Sequence, residues 1–492
     1  MSHSLKTILI TTSFLCLSFS AVDAAASKGP KVDKMLQSAI EDSVQDTATD
    51  SFAKDEAQIK DLPAGDTDSL LATGDMDETY IEPVTAEEPV MESMQADSGE
   101  PLLLEETQPA PQNMSPGIAW GDYVITPRLS LQGAYNDNLL ATETNTQEDF
   151  VKSIQPGLNI RLDDNNPHKL EIDAGWETRL HSDQDDDDQN NFNVSLDGVI
   201  ADKSNFSIPL SVGYKSYHED RADDLSAQRP EEVLKMTKFY AATGIRFTEG
   251  PYLAEILGHF EEKRHDDDRD AQGNPVIRRD ADHDTAGTSA RFEFALGEHH
   301  KMGVSGRWGD NDYNKNNYQG GGFNGPNRSS DKLSALAMWS MAFKSFTAKL
   351  KGGYGEIDYE DDAQIADIEE VIGSVEFGWA ITDRLNLKID YIRDLHEDEE
   401  IIQPIRRDMS HVSMDYKLGD HLLARIGGRY DRWEFEETTR EDKYIGVDAG
   451  LDYFFNQFIA LGVSYDYLGR DSDANNLDFE QNRFMVHLSG RL

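Results

Sequence analysis

Between Tyr123 and Leu492 the chain repeats one pattern about eighteen times, a short run in which apolar and polar residues alternate. From Leu170 to Leu180 the apolar set is Leu170, Ile172, Ala174, Trp176, Thr178 and Leu180, and the set between them is Glu171, Asp173, Gly175, Glu177 and Arg179. A pleated strand turns successive side chains to opposite faces, so each run is a strand with one apolar and one charged face. The same sorting appears at Phe206–Tyr214 and at Ala424–Asp431. A soluble sandwich also alternates, so the strands alone leave two architectures open.

The joints separate them. Compact turns fall near Asp202–Ser204, Thr248–Pro251, Gly297–His300, Lys344–Ser345, Thr382–Arg384, Gly419–His421 and Phe455–Gln457. Longer loops fall between them, near 137–149, 182–191, 218–235, 264–284, 310–331, 358–370, 394–408, 434–443 and 468–478. Short and long joints in alternation are the rule for an up-and-down barrel in an outer membrane, with turns on the periplasmic side and loops outside. Short joints alternating with nine long ones predict an all-β transmembrane antiparallel barrel of about eighteen strands over 117–492, both termini periplasmic. Leu333 to Phe343 is apolar on both faces, which leaves its register open and suggests a subunit contact or a loop packed on the wall.

Charge follows the same division. The chain carries a net charge of -47. The nine loops hold 46 Asp and Glu against 14 Lys and Arg, and residues 25–116 hold 21 acids against 5 Lys, so the strands and turns are close to neutral. The acidity belongs to the loops and the leading segment.

After residue 25 no stretch approaches the eighteen or more apolar residues of a spanning helix. The one apolar run lies at the start, where Lys6 precedes Ile8–Val22 and a small-residue site follows at Ala24, predicting a secretory signal peptide over 1–24. Cys16, the only cysteine, lies inside it, and Phe14 and Leu15 before it are too large for a lipoprotein site. Residues 25–116 are acidic and nearly free of aromatics, too polar to offset their ordering entropy, and read as a disordered periplasmic segment. Within it Val32, Met35, Leu36, Ile40 and Val44 fall at helical spacing, either a docking helix for periplasmic export components or a transient helix in a solvated linker, the reading the composition favours.

Tyr123, Phe206, Phe247, Tyr252, Phe346 and Phe458 stand beside short turns, and Tyr135, Tyr214, Phe260, Trp308, Tyr354, Tyr391, Tyr430 and Tyr467 nearer the long loops. Two aromatic belts match two membrane interfaces. The closing alternation of Phe484, Val486, Leu488, Gly490 and Leu492 resembles the C-terminal β-signal of outer-membrane barrels, with Leu492 at a final position usually held by Phe.

The element Tyr135-Asn136-Asp137-Asn138-Leu139, followed through an acidic loop by Ser153-Ile154-Gln155-Pro156-Gly157-Leu158, resembles the outer-membrane β-barrel porins of the BBP2 type. The resemblance in architecture runs over 117–492, and the acidic segment before it departs from the family pattern. It implies an association with exopolysaccharide or capsule secretion.

A barrel of this size leaves an aqueous channel, so passage is the expected function. The pore-lining candidates are Arg128, Arg161, Glu171, Asp173, Glu177, Arg179, Lys215, Arg246, Arg291, Arg307, Lys349, Lys351, Lys388, Asp390, Arg425, Arg429 and Arg483. Mixed charge suits a hydrophilic solute such as a sugar chain, although these registers give no continuous inward aromatic track. Opposite charges pairing across strands to stiffen the wall is the competing reading. Candidate partners are therefore outer-membrane lipid and lipopolysaccharide, and a polysaccharide or small hydrophilic solute.

Other functions are disfavoured. The runs Asp185–Asp188 and Asp266–Asp268 lack the spacing of a calcium loop, which favours solvation or weak bridging to lipopolysaccharide phosphates over a metal site. Gly320–Gly322 lacks the ending of a phosphate loop. His411 with Ser413, His487 with Ser489, and His299-His300 are chance neighbours among thirteen histidines, and predict neither catalysis nor metal binding. The net charge repels nucleic acid. The expectation is a non-enzymatic outer-membrane channel of a Gram-negative bacterium without cofactors, a passive conduit for exported polysaccharide, with a diffusion porin or a structural or adhesive surface barrel as alternatives.

Overall fold

A computed structural model describes residues 117–492 apart from 163–164, 185–186, 220, 223–232, 267, 270–274, 277–280, 314–327, 361–364, 398–402 and 437. The signal peptide, the acidic segment, the Gly320–Gly322 run and parts of both aspartate runs lie outside the described residues.

Eighteen strands form the wall: β1 Tyr123–Asn136, β2 Asp149–Leu162, β3 Lys169–Leu180, β4 Gln189–Ile200, β5 Phe206–His218, β6 Lys235–Glu249, β7 Tyr252–His265, β8 His283–Ala295, β9 His300–Tyr313, β10 Ser330–Ala342, β11 Phe346–Tyr359, β12 Ile368–Thr382, β13 Leu385–Glu397, β14 Pro404–Lys417, β15 Leu422–Phe435, β16 Glu441–Phe454, β17 Ile459–Ser472 and β18 Phe479–Arg491. Each pairs antiparallel with its chain neighbours, and β1 meets β18 from Arg128 opposite Arg491 to Asn136 opposite Arg483, which closes the barrel. Closure leaves no unpaired edge. Ile118–Trp120 folds back on the start of β1 as a short hairpin, and Asp268–Arg269 pairs with Pro275–Val276 in the joint after β7.

The joints at one end are tight. The link between β6 and β7 is Gly250-Pro251, with Gly250 at φ 56°, a backbone region that costs glycine nothing and that two-residue hairpins require. At the other end the joints reach 17 residues, at 266–282. The long joints are shorter than the sequence suggests, among them 398–403, 436–440 and 473–478. Their charges lie in strands that run on past the apolar band. Arg393 donates two hydrogen bonds to Asp408 at 2.7 and 2.8 Å, and Arg432 and Lys443 both reach Glu441 at 2.7 Å. Opposite charges facing across a ladder favour pairing, so the strands extend where composition reads as loop.

β10 takes a single register, with Leu333, Ala335, Ala337 and Trp339 on the outer face and Lys332, Ser334, Leu336, Met338 and Ser340 on the inner one. All round the barrel the outer face is apolar, with Ile208, Ile256, Val304, Val371, Ile426, Val463 and Val486 among its exposed side chains. Aromatic residues edge it at both ends. Tyr123, Phe206, Tyr252, Trp379 and Tyr453 stand on the tight-turn side, and Tyr135, Phe150, Tyr214, Phe260, Trp308, Tyr354 and Tyr430 on the other. Phe206 packs on Phe247 with ring centroids 4.8 Å apart, an inter-strand contact of about 0.5–1.5 kcal/mol beyond its area.

The buried hydrophobic clusters are small and sit toward the long-joint end: Ile405, Trp433, Phe435 and Tyr444; Ile357, Tyr359, Ile365 and Ile368; and Ala141, Ala222 and Phe479.

Candidate translocation path

The inner face is polar because the same alternation that puts one residue toward the outside puts the next toward the inside. Pairing fixes the side of every strand residue, since directly opposed residues share a face. Register places Arg128, Arg161, Glu171, Asp173, Glu177, Arg179, Lys215, Arg246, Arg291, Arg307, Lys349, Lys351, Lys388, Asp390, Arg425, Arg429 and Arg483 together on the face opposite the apolar one. In total that face carries 22 Lys and Arg against 18 Asp and Glu, for a chain of net charge -47.

Most of these charges lie along the wall. Arg128 on β1 crosses Gly157 on β2 and donates two hydrogen bonds of 2.6 Å to Asp173 on β3. A Cβ at Gly157 would collide with that guanidinium. The same device recurs at the seam, where His487 on β18 crosses Gly462 on β17 to meet Asp452 on β16 at 3.0 Å, and a Cβ at Gly462 would strike both side chains. Asp448 lies over Gly427, Arg429 over Gly446 and Tyr240 over Gly213. Glycine on the inner face thus gives long polar side chains a place to lie flat, which moves their bulk from the lumen to the wall.

Ion pairs complete the lining. Glu177 accepts from Arg179 at 2.8 Å, Gln155 at 2.7 Å and Asn191 at 3.0 Å. Arg246 and Arg291 share Glu255 at 2.6 and 3.2 Å, Lys388 meets Asp390 at 3.2 Å, Arg425 meets Asp452 at 3.1 Å, and Arg483 meets Asp466 at 3.4 Å. Glu171 hydrogen-bonds Asn159, and Arg307 approaches His259 at 3.4 Å. Cross-strand pairing is therefore extensive, as the stiffening reading expects. His411 lies 3.6 Å from Asp390, and His299 contacts the Ala342 carbonyl at 2.9 Å while stacking on Phe343.

At the long-joint end, contacts that the sequence reading missed reach between strands that are not neighbours. Glu397, the last residue of β13, accepts from Lys332 on β10 at 2.8 Å and from Asn311 on β9 at 2.7 Å. Arg407 pairs with Asp394 at 2.7 Å and lies over the Trp433 ring, while Arg470 lies over Tyr444 and Phe479. Arg221 and Asp187, from two successive long joints, pair at 2.5 Å and are buried together. Four of the inner-face aromatics, Trp433, Phe435, Tyr444 and Phe479, are spent on this packing. Among the described residues no group of three or more His, Cys, Asp and Glu has metal-binding geometry. A cavity of about 570 Å³ opens beside the seam, lined by Asp137, Asn138, Glu143, Arg470, Phe479 and Glu480 among others.

A closed antiparallel wall, apolar outside and charged inside, defines a porin-like barrel. The chain matches the family described as "Putative beta-barrel porin 2" over residues 111–492 and belongs to it. The chain is thus an outer-membrane porin-like barrel. No curated protein matches it. Among solved structures it is similar to OccK2 (OpdF) of Pseudomonas aeruginosa, at 13% identity and TM-score 0.43, covering 75% of this chain and 98% of that one. A BenF-like porin from Pseudomonas fluorescens Pf-5 follows at 12% identity and TM-score 0.41, covering 75% and 99%. The ferric citrate transporter FecA matches at 12% identity and TM-score 0.41 over 72% of this chain, which spans 60% of that longer protein.

Proposed function

We propose that the barrel is a passive outer-membrane conduit for hydrophilic solutes, used for exported polysaccharide, with its long joints outside and both chain ends periplasmic. The observation that carries the conduit is the inner wall, whose long polar side chains lie flat over glycine and leave a hydroxyl-compatible surface. Polysaccharide as the cargo rests on the resemblance of 117–492 to barrels associated with exopolysaccharide secretion. Energy then comes from periplasmic and inner-membrane machinery, with residues 25–116 as the point of attachment. At the rim, Arg393, Arg432 and Lys443 lie among carboxylates beside the aromatic belt, where the outer leaflet presents its headgroups.

A diffusion path for small solutes is the second reading, favoured by the contacts that cross the long-joint end at Glu397, Lys332 and Asn311. Entry of malto-oligosaccharides of increasing length into proteoliposomes containing the full chain separates the two. Passage continuing to long oligomers supports the polysaccharide conduit, and a cutoff at two or three sugars supports the small-solute path.

A further inference from the structure

The charges of the inner face are unequally shared around the barrel. Strands β5 to β11 present Lys215, Lys238, Arg246, Lys263, Arg291, Lys301, Arg307, Lys332, Lys349 and Lys351, ten cations, against Glu255, Glu261 and Glu293. The other eleven strands present 12 cations against 15 acids on the same face. One arc of the wall is basic and the facing arc is slightly acidic.

Ion pairs occur in both arcs, Lys238 with Glu261 at 3.0 Å and Arg246 and Arg291 with Glu255 among them, but they come near to balancing the charge only in the second. In the acidic arc the carboxylates are taken by neighbours, as at Arg128 with Asp173, Arg425 and His487 with Asp452, and Arg483 with Asp466. In the basic arc Lys215 faces Lys238 directly, and Lys238 faces Lys263 directly. Like charges opposed across a ladder are destabilising, by about 0.2–1 kcal/mol per pair. Acids brought in from beside the arc, Glu376 to Lys349 at 3.6 Å and Glu397 to Lys332 at 2.8 Å, still leave twice as many cations as carboxylates. The cations are also spread over the height of the wall, from Lys301 next to a tight turn to Lys215, Lys238 and Lys263 near the long joints. A solute bearing negative charges would meet them in succession, whereas a neutral sugar would gain nothing from them.

We propose that the β5–β11 arc is a binding track for anionic solutes, so that the channel prefers anions although the chain has a net charge of -47. The shared chemistry is a carboxylate- or phosphate-bearing solute. Under the conduit reading, on which this inference rests, the cargo is an acidic saccharide chain. The acidic joints do not cancel the preference, because solvent-exposed charges are screened beyond about 8 Å at physiological ionic strength. Arg221 with Asp187 and Arg440 with Asp442 further neutralise acids at the rim.

The test is the zero-current potential of the full chain in planar bilayers under a tenfold KCl gradient, followed by block of the current by added polymers. The expected sign is chloride preference. Block by oligogalacturonate and by polyphosphate, with little block by a neutral malto-oligosaccharide of equal length, supports the track, and the stronger of the two polyanions identifies the anionic group. K301Q and K351Q together should lower the chloride-to-potassium permeability ratio about twofold or more, since the selectivity of a confined path follows its local charge. The control K388Q and R483Q, in the facing arc, should change it less. Should the first pair fail to fold, K351Q alone serves, and the unmodified protein already reports the sign. Potassium preference, or block by the neutral sugar equal to that by the polyanions, overturns the track and leaves the conduit standing. Absence of any current from inserted protein overturns the conduit and the track with it.

Discussion

Arginine at Val463 and arginine at Ser464 should differ sharply in cost, although the two positions are adjacent. Val463 is on the outer face, 48% exposed, between Leu451 and Val486 on the neighbouring strands. The outer run of β17 is Ile459, Leu461, Val463, Tyr465 and Tyr467, and Val463 is its middle member. At a rise of about 3.4 Å per residue and a tilt of about 40°, the ends of that run lie about 20 Å apart along the membrane normal, so Val463 stands near the centre of the apolar band. Arginine there costs about 2–4 kcal/mol. At about 1.4 kcal/mol per tenfold, that lowers the folding constant by about 30- to 1000-fold. Ser464 faces inward opposite Gly450 and Met485, with Asp448 and Asp466 on the same face, and arginine there should cost less than about 1 kcal/mol. Urea-dependent folding into lipid vesicles, followed by tryptophan fluorescence and by the migration of unheated samples on gels, measures both. Equal costs, or a larger cost at Ser464, would refute the assignment of faces and the closed wall built on it.

Other substitutions probe the wall and its long-joint end. Asp442 is fully buried and accepts from Arg440 at 2.9 and 2.6 Å, so D442N should destabilise the end of β16 by about 3 kcal/mol or more and speed proteolysis of the 436–440 joint; an unchanged cleavage rate would count against a structural role for the pair. G462V should force His487 away from Asp452 and into the lumen, costing about 1–3 kcal/mol and lowering conductance, which single-channel recording reads directly. W433A removes the centre of a buried cluster and should cost about 3–5 kcal/mol, seen as loss of the most urea-resistant transition. E397Q weakens the tie to Lys332 and should raise conductance; an unaltered or lower conductance would place the constriction elsewhere.

The strand count and the alternation of short and long joints were readable because a membrane wall obliges each strand to keep one face apolar. Leu170, Ile172 and Trp176 announce their side with no knowledge of any partner. The contacts that line the wall were not readable in this way. Arg128 and Asp173 are 45 residues apart and meet only because two registers, β1 on β2 and β2 on β3, bring Gly157 between them. Nor does parity foretell that Lys215, Lys238 and Lys263 form a row, since that too depends on register. The misjudged joints near Arg393, Asp408, Arg432 and Glu441 have a related cause. Charge density reads as loop, but charges of opposite sign facing across a ladder extend a strand beyond the lipid band.

A closed, charged lumen of this kind should conduct ions. Reconstitution of the full chain into planar bilayers in potassium chloride tests it most directly. Stepwise insertion with stable currents proportional to voltage is the expected result. Protein shown to be folded and inserted that passes no current at any voltage would contradict it.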